Sequence, residues 1–147
     1  MTEIRAPAAH EQEAWLALWQ GYLVFYESTL PDAMSALTWQ RFHDPAEPIH
    51  ILAAYEGGAM VGFATYIFHR STWARHHYCY LEDLFVDESQ RGKGVARRLI
   101  EAVRAAAREK SCERLYWQTR AGNKTAQALY DRLAEKTDFI QYRMKPD

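Results

Sequence analysis

The sequence of 147 residues has little of several features that mark whole classes of protein. Its two cysteines, Cys79 and Cys112, lack CxxC or histidine spacing, which argues against a disulfide framework and a zinc site. Lysine and arginine number 18 against 19 acidic residues, so no excess of positive charge indicates nucleic acid as a partner. No segment approaches the roughly 18 uninterrupted apolar residues of a membrane-spanning helix, and the N-terminus lacks a signal-peptide core. The sequence therefore predicts a cytoplasmic protein without a nucleic-acid, membrane or metal partner.

What is present is typical of one globular domain. The apolar fraction is 48% and the charged fraction 25%, both ordinary values for a protein that buries its own core. No linker, repeat or low-complexity run divides the chain, so we expect a single domain over residues 1–147.

Hydrophobic periodicity predicts an α/β fold. Apolar residues at three- and four-residue spacing indicate four helices, at residues 10–26, from 31 or 32 to 42, 94–110 and 123–135. Short apolar or alternating runs indicate six strands, at residues 4–6, 49–55, 60–69, 78–86, 114–119 and 139–144. The Gly57-Gly58 turn predicts an antiparallel hairpin, and the helix at 94–110 predicts a right-handed crossover between two parallel strands.

The loop after the strand at 78–86 carries the clearest functional signal. Gly92 and Gly94 allow positive φ angles and close approach of a ligand to the backbone. The free N–H groups at the start of the following helix would bind a diphosphate, with charge added by Arg91 and Lys93. The loop is not a P-loop, because no Gly-Lys-Ser/Thr follows four spacer residues. It is not a dinucleotide fingerprint either, because Arg97 stands where the third glycine would be.

The run Arg91-Gly92-Lys93-Gly94-Val95-Ala96 resembles the Gln/Arg-x-x-Gly-x-Gly/Ala signature of the GNAT (Gcn5-related N-acetyltransferase) superfamily. A second block, Asn123-x-x-Ala-x-x-Leu-Tyr130, resembles the other half of that family's cofactor site. The resemblance extends over residues 49–144. Within the superfamily, residues 80–86 and Tyr116-Trp117 are most similar to the polyamine and histone/polyamine acetyltransferase branches.

This resemblance implies a mixed, mostly antiparallel central sheet flanked by helices, with a splayed pair of parallel strands. It implies acetyl-CoA as cosubstrate, no metal, and direct transfer of the acetyl group to a primary amine in a ternary complex. By resemblance Tyr130 is the proton donor to the departing thiolate. The cofactor-binding residues it implies are Leu84, Phe85, Val86, Arg91, Gly92, Lys93, Gly94, Val95, Ala96 and Asn123.

Glu82 is the candidate general base, acting directly or through a water. Strand alternation places Tyr80, Glu82 and Leu84 on one face of the sheet and Asp83 on the other. A carboxylate in a central strand is solvated, paired or functional, because an unpaired buried charge is costly. The alternative is an ion pair between Glu82 and an arginine of the preceding loop, Arg70 or Arg75.

We expect the acceptor site to combine acidic and aromatic side chains, namely Tyr26, Glu27, Trp73 and Tyr80, with Tyr22 and Asp83 nearby. Such a set favours a small cationic amine, for example a polyamine, through ion pairing and cation–π contacts. A protein lysine or an N-terminal amine stays open as acceptor. A non-catalytic acyl-CoA sensor is a further alternative, since it would need the glycine loop but neither Glu82 nor Tyr130. A homodimer is expected by analogy with the fold.

Overall fold

The computed structural model describes all residues, Met1–Asp147. The chain forms two compact units, Met1–Trp117 and Gln118–Asp147, which are described in turn. None of its helices combines the length and the apolar character that crossing a bilayer requires.

The first unit is built on a five-stranded sheet whose spatial order follows the sequence. Its strands are β1 (Glu3–Arg5), β2 (Ile49–Glu56), β3 (Ala59–His69), β4 (His77–Val86) and β5 (Cys112–Tyr116). Neighbouring strands from β1 to β4 are antiparallel, whereas β4 and β5 are parallel. This confirms the predicted mixed, mostly antiparallel sheet, in which the long β4 has a neighbour on each side.

Three helices cover the sheet: α1 (Gln12–Phe25), α2 (Asp32–Phe42) and α3 (Val95–Glu109). The core on one face is aromatic, because Trp15 of α1 stacks on Trp19 at 5.2 Å and on Trp39 of α2 at 5.3 Å. Phe63 of β3 packs edge-on against Trp15. Since Phe63 and Tyr66 point to opposite faces of β3, and Tyr66 lines a groove with Ala106 of α3, α3 lies on the other face.

Helix α3 follows the predicted apolar periodicity. Val95, Leu99 and Val103 are buried as expected, and the next buried position is Ala107. Ala106, which the sequence places inside, is only half-buried. The apolar stripe of α3 therefore fixes its N-terminus beside the end of β4, where the glycine loop stands.

The second unit contains α4 (Lys124–Leu133) and a C-terminal segment. Asn123 caps α4 as predicted, with its Oδ1 accepting a hydrogen bond from the Ala126 N–H at 3.4 Å. The predicted closing strand at 139–144 is wrong for this structure, because residues 134–147 form neither helix nor strand. A strand exists only where a neighbouring edge takes up its backbone hydrogen bonds, and periodicity along one segment carries no information about that neighbour.

Gly62→Ala is expected to destabilise the protein by roughly 1–3 kcal/mol, the usual cost of overpacking. A Cβ at Gly62 would lie 2.9 Å from the Phe85 carbonyl oxygen, and backbone of β4 cannot rotate away as a side chain can. Urea denaturation measures the loss. The matched control is Gly122→Ala, where the added Cβ meets nothing within 4 Å, and equal stability losses in both variants would contradict the prediction.

Candidate functional site

The glycine loop has the conformation that its sequence predicts. Gly92 and Gly94 adopt φ angles of 77° and 81°, in the left-handed region that other residues rarely enter. A Cβ added at either position would meet nothing within 4 Å, so the space above the loop is open. The loop thus presents bare backbone toward a ligand.

The N-terminus of α3 adds hydrogen-bond donors to this loop. The helix begins with the bond from the Arg98 N–H to the Gly94 carbonyl, and no side chain caps it. Its first-turn N–H groups therefore have no partner within the helix, and they lie at the positive end of the helix dipole. Together with the glycines they form a site suited to a diphosphate.

Arg91 is held between the loop and the sheet. Its Nε donates a hydrogen bond of 3.0 Å to the Val86 carbonyl. The guanidinium carbon lies 5.4 Å from the ring centre of Phe85 and 5.9 Å from that of Phe25 in α1. The Nζ of Lys93 donates a hydrogen bond of 3.3 Å to the side-chain oxygen of Gln90. These contacts place both positive charges at the end of β4, where the loop begins.

The second half of β4 has a free edge. β5 pairs with β4 only as far as Tyr80, which lies opposite Tyr116. Beyond that point β4 continues to Val86, and residues 81–86 are paired only with β3 on their other side. This agrees with the predicted splayed parallel pair. The edge that contains Leu84, Phe85 and Val86 can accept an extended ligand by strand addition.

A β-bulge changes the faces of the residues around Glu82. In the register of β3 and β4, Thr65 lies opposite Asp83 and Tyr66 lies opposite Leu81, so Glu82 is the extra residue. The strict alternation predicted from sequence is therefore interrupted. Asp83 and Leu84 lie on opposite faces as predicted, with Asp83 toward α1 and Leu84 opposite Ala64 on the α3 side. Tyr80, which pairs with Ile67, lies on the face of Asp83 and not, as predicted, on that of Leu84.

Asp83 is the more deeply placed member of the carboxylate pair, half-buried where Glu82 is exposed. It accepts a hydrogen bond from the Thr65 hydroxyl at 2.5 Å, and its own N–H donates to the same oxygen at 3.1 Å. The Tyr22 hydroxyl of α1 is a second hydrogen-bond partner of the carboxyl. Burial raises the pKa of Asp83, although both hydrogen bonds act in the opposite direction. Burial and Asp83 likewise raise the pKa of Tyr22.

Glu82 is the exposed half of the pair. Loss of surrounding water and, secondly, the nearby charge of Asp83 raise the pKa of its carboxyl. The alternative ion pair is not formed, because Arg70 donates instead to the backbone carbonyl of His76 at 3.2 Å and none of the ion pairs includes Glu82. A solvent-accessible carboxylate with a raised pKa has the properties of a general base.

The predicted acceptor residues are only partly brought together. The ring of Tyr26 contacts that of Tyr22 at 5.0 Å, which links Tyr26 to Asp83. Glu27 follows α1 with a positive φ of 54°, and Tyr80 stacks on Tyr116 at 5.0 Å. Trp73 is 85% exposed.

Sequence reasoning missed Thr65 and Tyr116. The hydroxyl of Tyr116 is 2.7 Å from the Nε2 of His69, and the Tyr116 ring extends the surface that begins at Tyr80. The only signal in the sequence is the neighbouring Glu82-Asp83 pair in an apolar strand. Alternation would point the two carboxylates to opposite faces of the sheet, so in a strand covered on both faces at least one of them needs a polar partner.

In the second unit, Asn123 and Tyr130 lie two turns apart on α4. The Nδ2 of Asn123 donates to the Thr119 hydroxyl at 3.1 Å while its Oδ1 caps the helix. Its side chain therefore has a structural task already. Tyr130 is half-buried. No group of three or more histidine, cysteine or acidic side chains is arranged to hold a metal ion.

Comparison with known proteins gives a consistent result. The model of the "Acetyltransferase (GNAT) family" matches residues 15–134. The D-amino-acid N-acetyltransferase HPA3 of Saccharomyces cerevisiae is 37% identical over 95% of this chain and 88% of its own length. The thialysine N-epsilon-acetyltransferase of Bos taurus is 32% identical over 83% of this chain, which spans 62% of the bovine protein.

Solved structures agree with the fold. The aminoglycoside N-acetyltransferase AAC(6')-Iy in complex with CoA superposes with a TM-score of 0.86 at 23% identity. That comparison covers 100% of this chain and 96% of the other, so the likeness extends over both units.

Proposed function

The chain belongs to the GNAT acetyltransferase family and is an acetyl-CoA-dependent N-acetyltransferase, and on that premise we propose that its acceptor is a small cationic primary amine such as a polyamine. The observation that carries this proposal is the pair of adjacent carboxylates, Glu82 and Asp83, at the β4 bulge. Their mutual repulsion and loss of water make the doubly ionised state unfavourable, and a bound ammonium group relieves it. The aromatic rings of Tyr22, Tyr26 and Tyr80 supply cation–π surface around that charge.

The glycine loop and the free edge of β4 fit the cosubstrate. The Arg91–Ala96 loop is proposed to bind the pyrophosphate through backbone N–H groups and the two positive side chains. The free edge at Leu84, Phe85 and Val86 is proposed to pair with the amides of the pantetheine arm. When bound, acetyl-CoA supplies the thioester. Asn123 is the last residue proposed to contact the cosubstrate, in addition to capping α4.

We assign two proton transfers to side chains of this chain. Glu82 takes a proton from the acceptor ammonium, directly or through a water, and the freed nitrogen forms the C–N bond of the amide. The C–S bond breaks as that bond forms, without a covalent enzyme intermediate. Tyr130 donates the proton that the departing thiolate gains. The nitrogen loses its second proton to solvent, and Tyr130 regains one from solvent, so that the products are the amide, the CoA thiol and one proton held by Glu82. The acceptor residues proposed are Tyr26, Glu27, Trp73 and Tyr80, joined by Tyr22 and Asp83.

An amino acid is the second candidate acceptor, because the yeast relative that matches nearly the whole chain is named for D-amino acids. An amino acid carries a carboxylate beside its amine, which would add a third negative charge near Glu82 and Asp83. This electrostatic cost favours an acceptor whose reacting amine is remote from any carboxylate. Protein lysine and N-terminal amines, single-domain organisation and cytoplasmic location stay predictions.

A CoA-release assay with an amine panel tests the proposal. The panel comprises spermidine, thialysine, D-alanine, an aminoglycoside and a lysine peptide, with CoA binding followed by thermal shift in parallel. We expect the highest kcat/KM with spermidine or thialysine. A preference for D-alanine would replace the first candidate by the second. CoA binding without turnover of any amine would contradict the assignment of small-amine acetylation.

Asp83→Asn is expected to move the acidic limb of the kcat/KM profile to lower pH. Glu82 acts as a base only when ionised, and the charge of Asp83 helps to raise the pKa of Glu82. Removing that charge lowers the pKa of Glu82, so activity appears at a lower pH. The matched control is Asp87→Asn, which alters a carboxylate outside the bulge that accepts from the Ser89 N–H. An unchanged acidic limb in Asp83→Asn would show that Glu82 does not respond to Asp83.

A further inference from the structure

Thr65 and Ser35 are the two polar residues that are buried in this structure. Thr65, in the middle of β3, is 2% exposed, and Ser35 of α2 is 1% exposed. A buried hydroxyl is costly unless it is hydrogen-bonded. The Ser35 hydroxyl accepts a hydrogen bond of 3.0 Å from the indole of Trp19, within the aromatic core. The Thr65 hydroxyl binds a residue of the candidate site instead, so its burial serves a different purpose.

The hydroxyl of Thr65 binds both the backbone and the side chain of Asp83. It donates to the Asp83 Oδ2 at 2.5 Å and accepts a hydrogen bond of 3.1 Å from the Asp83 N–H. The two residues lie opposite each other where β3 and β4 shift register, next to the extra residue Glu82. Because one hydroxyl ties the backbone of Asp83 to its own carboxyl, neither group rotates independently. The hydroxyl thereby fixes the strand at the bulge that carries Glu82.

The two carboxyls of the bulge differ in the donors that they receive. The hydroxyls of Thr65 and Tyr22 both donate to Asp83, and neither of them binds Glu82. Burial raises the pKa of Asp83, and the two hydrogen bonds oppose this rise because donors favour the charged form of a carboxyl. Loss of water and the charge of Asp83 raise the pKa of Glu82. The other titratable groups beside the pair are the phenols of Tyr22 and Tyr26. The donors therefore direct an incoming proton to Glu82.

Given the acetyl transfer proposed for this chain, on which this inference rests, we propose that Thr65 is a positioning residue for the base. It holds Asp83 in place and in its charged form, and so keeps Glu82 as the carboxylate that takes the proton of the acceptor. The proton passes from the acceptor nitrogen to a carboxylate oxygen of Glu82, while Thr65 keeps its own proton in the hydrogen bond to Asp83. Without that hydroxyl the two carboxyls compete for the proton, and the bulge is no longer held.

Thr65→Val is the variant that tests this role, because valine keeps the branched shape and loses only the hydroxyl. We expect kcat with the best amine to fall about tenfold, with KM little changed, because a base that is held less firmly is misplaced more often. The acidic limb of the kcat/KM profile should move to lower pH, since Asp83 without its donor is neutral more often where Glu82 titrates. Thr65→Ser keeps the hydroxyl and should restore both kcat and the limb.

Ser35→Ala is the matched control, because it removes the other buried hydroxyl without touching the bulge. It should lower the thermal unfolding temperature and leave kcat and the acidic limb unchanged. Carbon NMR titration of the Glu82 and Asp83 carboxyls in the free protein is the second measurement, and it needs neither CoA nor an acceptor. In the wild type Asp83 should lose its proton at lower pH than Glu82, and in Thr65→Val this separation should shrink.

Wild-type kcat and an unchanged acidic limb in Thr65→Val would overturn the role of Thr65. Failure of Thr65→Ser to restore activity would also overturn it, because the methyl group would then matter and not the hydroxyl. If Thr65→Val does not fold, the wild-type titration decides, and loss of the Glu82 proton before that of Asp83 contradicts the assignment. Turnover of no amine would refute the proposed function, whereas the titrations would still decide whether Thr65 controls the two carboxyls.

Discussion

Glu82→Gln is expected to lower kcat/KM by about 10²- to 10⁴-fold, the usual contribution of a general base, while CoA binding is unchanged. Glutamine keeps the shape of the side chain and its position at the bulge but cannot take a proton from the acceptor ammonium. Steady-state kinetics with the best amine of the panel measures the loss in turnover. Isothermal titration with CoA measures the binding that should persist, since Glu82 lies outside the glycine loop.

The matched control for this variant is Glu13→Gln, an exposed carboxylate in the first turn of α1. It removes one negative charge from the same unit without touching the bulge. The loss in Glu82→Gln should also shrink at alkaline pH, where more of the amine arrives already deprotonated. A variant that keeps wild-type kcat/KM at neutral pH would remove Glu82 from the mechanism and direct attention to Asp83.

Gly94→Ala is expected to weaken CoA binding by at least about tenfold. At a φ angle of 81° an alanine costs about 1–2 kcal/mol, and relief of that strain rotates the first amides of α3 away from the diphosphate that we propose binds there. A loss of 1.4 kcal/mol in binding free energy corresponds to a tenfold change in Kd. Isothermal titration with CoA gives the Kd, and thermal unfolding gives the accompanying loss of stability.

Gly58→Ala is the control that separates the two effects. Gly58 has a φ angle of 84° in the β2–β3 turn, and there too an added Cβ meets nothing within 4 Å. Both variants should therefore lose similar stability, of order 1 kcal/mol, whereas only Gly94→Ala should lose CoA affinity. Equal CoA affinity in the two variants would show that the loop at Gly94 does not hold the diphosphate.

The glycine loop could be predicted from sequence because its physics is local. A positive φ at Gly92 and Gly94 depends on the absence of a Cβ, and the free amides depend on where the next helix begins. Both are properties of a few consecutive residues. The hairpin at Gly57-Gly58, the Asn123 cap and the apolar stripe of α3 were predictable for the same reason.

The environment of Glu82 could not be predicted in this way. The bulge exists because β3 and β4 change register between Thr65 and Tyr66, and register belongs to the pairing of two strands. Strict alternation therefore placed Tyr80 on the face of Leu84, whereas the pairing of Tyr80 with Ile67 puts it on the face of Asp83. It also gave no sign that Thr65 and Tyr22, distant in sequence, would bind the carboxyl of Asp83.

By itself the sequence determined the family, the conformation of the glycine loop and the order of most elements, because these depend on short motifs and periodicity. Tertiary structure decided which carboxylate is buried, which is open to solvent, and whether an apolar segment becomes a strand. A buried carboxylate needs hydrogen-bond donors from other elements, and a strand needs a neighbouring edge. Residues 139–144 have the pattern of a strand, but pattern alone cannot supply the backbone groups that complete it.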